Sequence, residues 1–269
     1  MPGMKRVFNA VMAVLIFCCL SVGATSNQSG RLRAHIPTEG NDDEFRLARI
    51  MYPTVGGGGS HGYYQPWWAI DYPLAEEHFL TALNRLTKVR AATDSWHLEL
   101  TDDRIFEHPF LFLQQPGQGG WDPTPLEASR LREYLLRGGF LLVDDFHGEY
   151  DWAVMKDAMA RVLPDREIIE IPDNDTIMHV FYDLTDRKQL PGERHLRIGP
   201  GGQTVVYMPG EVAHWRGIYD DKGRLMVAMN FNMDMGDSWE HADDPRYPAE
   251  LTVQGYQLGV NYVLYSMTH

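Results

Sequence analysis

Two uninterrupted apolar runs, PFLFLQQ (109–115) and FLLVDDF (140–146), narrow the folds open to this chain. A strand with one wet face alternates polar and apolar residues. A strand without alternation is covered on both faces, as in parallel sheets flanked by helices. The segment between the runs carries the helix that such a crossover needs. Thr124-Pro125-Leu126-Glu127 combines an N-capping Thr, Pro at the first helical position and Glu at the third, which is a capping box. Leu126, Leu131, Tyr134 and Leu135 form its apolar stripe, and Gly138 stands where a left-handed residue closes a helix.

The pattern extends to both sides. FRLARIMYP (45–53) reads as a strand, and LAEEHFLTALNRLTKV (74–89) as a helix with Phe79, Ala82, Leu83 and Leu86 on one face. WAVMKDAMARVL (152–163) puts Trp152, Met155, Met159 and Val162 on one helical face, and REIIEI (166–171) predicts a further strand. QTVVYMPG (203–210) is strand-like, and GIYDDKGRLMVAMNFN (217–232) reads as two strands around a turn at Asp220 to Gly223. LTVQGYQLGVNYVLYSM (251–267) predicts a closing helix, weakened by Gly255 and Gly259. The expected architecture is α/β: a three-layer, mostly parallel sheet flanked by helices, with a β-hairpin insertion in the second half.

Lys5 and Arg6 precede an apolar stretch from Val7 to Gly23 that ends in small residues, the make-up of a secretory signal peptide with cleavage after Ala24. The alternative is an uncleaved N-terminal membrane anchor. Residues 25–43 are polar and aperiodic and read as a flexible leader, which leaves 44–269 as a single α/β domain. Export places the chain in the periplasm or outside the cell. Both cysteines, Cys18 and Cys19, lie in the leading apolar stretch, so the remainder has no disulfide, thiolate nucleophile or cysteine zinc site. Net charge is −13, and loss of Lys5 and Arg6 makes it two units more negative, which opposes binding to nucleic acids and anionic lipids.

Chemistry in an open parallel sheet belongs at the carboxyl ends of its strands. Asp144, Asp145 and His147 occupy such an end and are the catalytic candidates: a carboxylate beside an imidazole orients a general base or contributes to a metal site. Side chains alternate along a strand, so Asp145 and His147 are expected on one face and Asp144 on the other. The structural alternative has one aspartate capping the next helix and the other binding loop amides. Two more segments can reach the same rim. GYYQPWWAIDYP (62–73), after the glycine run 56–59, offers Trp67, Trp68, Asp71 and Tyr72 as a lid or ligand platform, or as a loop folded onto the core. NFNMDMGDSWE (230–240) offers Asn230, Asn232, Asp237 and Trp239; its alternation is faintly like a calcium loop without the spacing of one. The histidines make no metal-ligand spacing, no Gly-x-Ser-x-Gly elbow exists, and no cofactor motif is present, so a divalent cation is the one cofactor left open.

Several strings carry a family resemblance: WWAIDYP (67–73), HPFLFLQ (108–114), LREYLLRGGFLLVDDF (131–146), LPDRE (163–167), GIYDDKGRLMVAMNFNMDMGDSWE (217–240) and GVNYVLYSMTH (259–269). The chain resembles domain-of-unknown-function family 4159 over nearly all of 45–269. The resemblance implies a class I glutamine-amidotransferase-like, flavodoxin-like fold. It also implies that Asp144 or Asp145 stands where such folds place a catalytic cysteine. With no cysteine there, and Gln115-Pro116-Gly117-Gln118 where some members carry Gly-His, glutaminase chemistry is disfavoured. Two functions remain. One is an exported module that binds a small molecule, saccharide or protein partner. The other is a hydrolase using Asp145 and His147, with or without a divalent metal.

Overall fold

The computed structural model describes residues 44–54, 58–60 and 63–269. The predicted signal peptide, the leader and part of the glycine run lie outside the described residues. The strands are β1 (Ala48–Met51), β2 (Gly58–Ser60), β3 (Tyr63–Gln65), β4 (Trp96–Glu99), β5 (Phe110–Gln114), β6 (Phe140–Phe146), β7 (Ile169–Glu170), β8 (Leu196–Ile198), β9 (Thr204–Val206), β10 (His214–Tyr219) and β11 (Leu225–Phe231). The helices are α1 (Leu74–Leu86), α2 (Pro125–Leu136), α3 (Gly148–Val162), α4 (Met235–Glu240) and α5 (Ala249–Thr268). No helix among the described residues is long and apolar enough to cross a membrane.

Seven strands form a mixed, mostly parallel sheet in the order β4-β1-β5-β6-β11-β10-β7. β4, β1, β5, β6 and β11 run parallel, while β10 is antiparallel to both its neighbours. The two apolar runs are the adjacent strands β5 and β6, every residue of both buried, in a register that pairs Phe110 with Phe140 and Gln114 with Asp144. Alternation then sorts their side chains. Leu111, Leu113, Leu141 and Val143 meet Leu131 and Leu135 of α2 and Met155 and Met159 of α3, whereas Phe110, Phe112, Phe140 and Leu142 meet Phe79 of α1 and Leu258 and Tyr262 of α5.

The capping box closes α2 as its residues dictate: Glu127 N donates to Thr124 Oγ1 at 3.3 Å and Thr124 N to Glu127 Oε2 at 2.8 Å. At the other end Gly138 has φ +114°, and a Cβ on Gly139 would lie 2.3 Å from the Tyr134 ring, so the glycine pair serves the turn and the packing together. Leu126, expected in the apolar stripe, is exposed, and Ala128, two residues on, takes the inward place.

Three other expectations change. The segment 166–171 shortens to an exposed two-residue edge strand, and 203–210 contributes only β9, which pairs with β8 outside the main sheet. The hairpin is no insertion: β11 is buried along its whole length and lies against β6 inside the sheet. Gly255 and Gly259 do not weaken α5 but let it approach its neighbours. A Cβ on Gly255 would lie 1.9 Å from Ser238 Oγ, and one on Gly259 2.6 Å from the Trp239 ring.

Candidate functional site

Among the described residues, four non-glycine positions have a left-handed backbone: Asp71 (φ +68°), Gln115 (+47°), Asp145 (+52°) and Asn232 (+58°). Gln115, Asp145 and Asn232 fall at the carboxyl ends of β5, β6 and β11, and Asp71 in the turn that leads into α1. Asp and Asn tolerate this region best, but each such residue still costs on the order of 1 kcal/mol, and such strain concentrates where structure serves function.

Asp145 owes its conformation to a bulge. Val143 pairs with Met229 and Phe146 with Phe231, so β6 advances one residue more than β11 over this interval. The two aspartates part company there. Asp144 is fully buried and bonded: Oδ1 accepts from Asn230 Nδ2 at 2.9 Å, and Oδ2 from the amides of Met235 and Gly236 at 2.8 and 2.9 Å. It ties β6 to the start of α4, the structural role foreseen for one of the pair. Burial pushes its carboxyl up to about 7 against these hydrogen bonds. Asp145 is 2 % exposed, yet neither carboxylate oxygen accepts a hydrogen bond.

His147, at the N-cap of α3, meets Asp145 across the bulge, where regular strand alternation no longer holds. Its Nε2 lies 3.2 Å from Asp145 Oδ1, an ion-pair contact, and its Nδ1 is bonded to Glu211 Oε2 at 2.6 Å. Burial opposes charge on this ring, but the two carboxylates outweigh it and push His147 up to about 9. Arg194 Nη2 stands 3.8 Å from Asp145 Oδ1, and the His195 ring lies 5.2 Å from that of His147. Burial, with the charges of Arg194 and His147, holds His195 down at about 4.

Behind Asp145 lies a second group of carboxyls. Asp71, Asp145 and Asp234 each offer an oxygen within 4.8 Å of the others, and all three are buried. Asp71 Oδ2 accepts from Gln114 Nε2 at 2.6 Å, and Asp234, the N-cap of α4, accepts from Asp237 N at 2.9 Å. Burial raises both carboxyls well above the ordinary range, and their acidic neighbours raise them further. Arg49 holds the Asp71 turn in place. Fully buried on β1, it donates Nη1 to the carbonyls of Trp68 and Ile70 at 2.9 and 2.7 Å, and Nε to Glu76 Oε1 at 2.7 Å.

The expected ligand platform is mostly core. Trp239 is fully buried and stacks on Phe79 at 4.1 Å; Asn230 bridges Asp144 and the Tyr262 hydroxyl; Trp68 is buried with its ring edge-on to His97. Asn232 braces three segments, accepting from Gly148 N at 2.8 Å, donating to the Val212 carbonyl, and offering its own carbonyl to Gln189. Asp237 accepts from Glu193 N at 2.6 Å. Only Trp67 and Tyr72 of the named aromatics are half-buried. Conversely, Glu211, Arg194 and His195 joined the site from a stretch without periodicity, and nothing in their spacing marks them. Asp234 lay in a segment already singled out, next to Asp237.

Three elements of this site can be grouped by donor chemistry. His147, His195 and Glu211 form one set, Asp237, Glu240 and His241 a second, and Asp71, Asp145 and Asp234 a third. The first two contain imidazoles already engaged with carboxylates, whereas the third is all oxygen. A search of curated proteins found none that matches the chain. The sequence model of one family covers residues 46–267, and the chain therefore belongs to the family described as Domain of unknown function (DUF4159).

Proposed function

We propose that this chain is an exported hydrolase built on an amidotransferase-like, flavodoxin-like three-layer fold, with Asp145 and His147 as its acid–base pair. The fold reading is supported by the five parallel strands, which among themselves follow the order 2-1-3-4-5 of doubly wound sheets, with helices on both faces. One observation carries the chemistry: Asp145 holds an unbonded, buried carboxylate on a left-handed bulge at the strand-to-helix junction, 3.2 Å from an imidazole. A carboxylate saturated by hydrogen bonds like Asp144 would serve structure better.

In this reading Asp145 takes a proton from water as the water attacks the substrate. The His147 imidazolium, oriented by Glu211, gives its Nε2 proton to the leaving group. Proton return from Asp145 to His147 across their 3.2 Å contact resets the pair, so the net reaction is addition of water across the cleaved bond. The test is a panel of p-nitrophenyl esters, glycosides and phosphates. Wild type should turn over one class, and Asp145→Asn and His147→Gln should each lose about a hundredfold or more with their thermal transitions preserved. No turnover in any class, or undiminished turnover in Asp145→Asn, overturns the reading.

The alternative, a catalytically silent module for a small molecule, saccharide or protein partner, is favoured by Trp67 and Tyr72, half-buried beside Asp71. It predicts ligand capture without turnover and sensitivity to Trp67→Ala. Export itself predicts a mature chain beginning at Thr25, which N-terminal sequencing of secreted protein checks.

A further inference from the structure

We infer that Asp71, Asp145 and Asp234 form a binding site for a hard divalent cation of the Mg2+, Ca2+ or Mn2+ class. The three side chains come from separate elements, the turn before α1, the β6 bulge and the N-cap of α4, yet each places an oxygen within 4.8 Å of the others. That separation suits one ion at metal–oxygen distances of about 2.1–2.6 Å after small side-chain adjustments. An all-oxygen donor set selects hard cations over zinc or copper.

Clustering alone would mean little, because acidic groups often gather without a ligand. The deciding observation is the pair of Asp145 oxygens, almost wholly buried, held by strained backbone and accepting no hydrogen bond. A buried carboxylate is paired, neutralised by a proton or bound to an ion. A second orphan points the same way: Gln114 donates its Nε2 to Asp71, and its Oε1 is buried with no partner.

Positive charge on the protein reaches one of the three carboxyls: among the described residues Asp145 pairs with His147 at 3.2 Å and Arg194 at 3.8 Å, and Asp71 and Asp234 form no ion pair. The Arg194 side chain is 43 % exposed and can withdraw. Two glycines leave the oxygens room. A Cβ on Gly236 would lie 2.4 Å from Asp71 Oδ2, and one on Gly192 2.7 Å from Asp234 Oδ2.

The inference goes beyond hydrolysis and is tested without it. Chelator-treated full-length protein is titrated with CaCl2, MgCl2 and MnCl2 by calorimetry, and its melting temperature is followed in parallel. Wild type should show one saturable site and a rise of roughly 5–10 °C at a hundredfold excess over Kd. Asp234→Asn keeps a competent N-cap and relieves repulsion. It should therefore melt no lower than wild type in chelator, while binding the ion at least tenfold more weakly and losing the rise. Asp71→Asn should do likewise, and Asp157→Asn, on the exposed face of α3, should leave binding unchanged. Absence of binding by wild type to all three ions overturns the proposal, as does unaltered affinity in Asp234→Asn. Zinc binding that depends on His195 and ignores Asp234 also overturns it, by moving the site to the imidazole group. Failure of the hydrolase reading would appear instead as cation binding intact without turnover.

Discussion

Gly236 abuts the carboxylate of Asp71, and their contact leaves no space for a methyl group. Gly236 lies in the first turn of α4, where its amide also donates to Asp144. Gly236→Ala should improve local helix propensity by up to about 1 kcal/mol. Overpacking against the Asp71 carboxyl and the Gln114 amide works against this and typically costs about 1–3 kcal/mol, so net destabilisation is expected. Urea unfolding measures it, and a variant as stable as wild type would show that Asp71 moves freely.

The buried pair Arg49–Glu76 supports the Asp71 turn from below. Arg49→Met should cost about 3–5 kcal/mol, because it strands the Glu76 carboxylate and frees two backbone carbonyls. Replacing Glu76 by Leu in that background should recover part of the loss, since an apolar pair has no charge to desolvate. Denaturant titration of the single and double variants checks the coupling; strictly additive losses would contradict it.

Stability should fall as pH rises from about 6.5 to 9. His147 has a native pKa of about 9 against an ordinary 6.5, so the folded state holds a proton that the unfolded chain releases. Its contribution is complete below about pH 6.5 and vanishes as pH passes 9, a span worth on the order of 3 kcal/mol. Asp144 and Glu240, raised by burial to about 7, act with the same sign between about pH 4 and 7. In chelator the protein should thus resist urea better at pH 6.5 than at pH 9.5, the window in which His195 and His108, both held down at about 4, no longer titrate. His147→Gln should flatten the profile between pH 6.5 and 9, and a profile of unchanged slope there would contradict the ring's charged state.

The local signals in the sequence were strong where chemistry is local. The apolar runs of β5 and β6 and the Thr124–Glu127 box need only their own neighbours to act, and the structure follows them. Asp145 and His147 also meet, but through a bulge that regular strand alternation does not describe. Signals failed where distant segments decide. Trp239 reads as an exposed aromatic in a polar loop, but Gly259 of α5 admits it beside Phe79. Arg49 reads as a polar residue on a strand, and only the folded turn supplies the carbonyls that let it be buried. Glu211 and His195 reach the site through an irregular chain path that periodicity does not describe.

Arg49 also bears on how the site chooses its ligand. It fastens the turn of Asp71 to the same sheet that carries Asp145, so the gap between these carboxylates is set by the strands and not by whatever enters. If the cation proposed above binds there, a spacing held by the strands would favour ions of one radius over others.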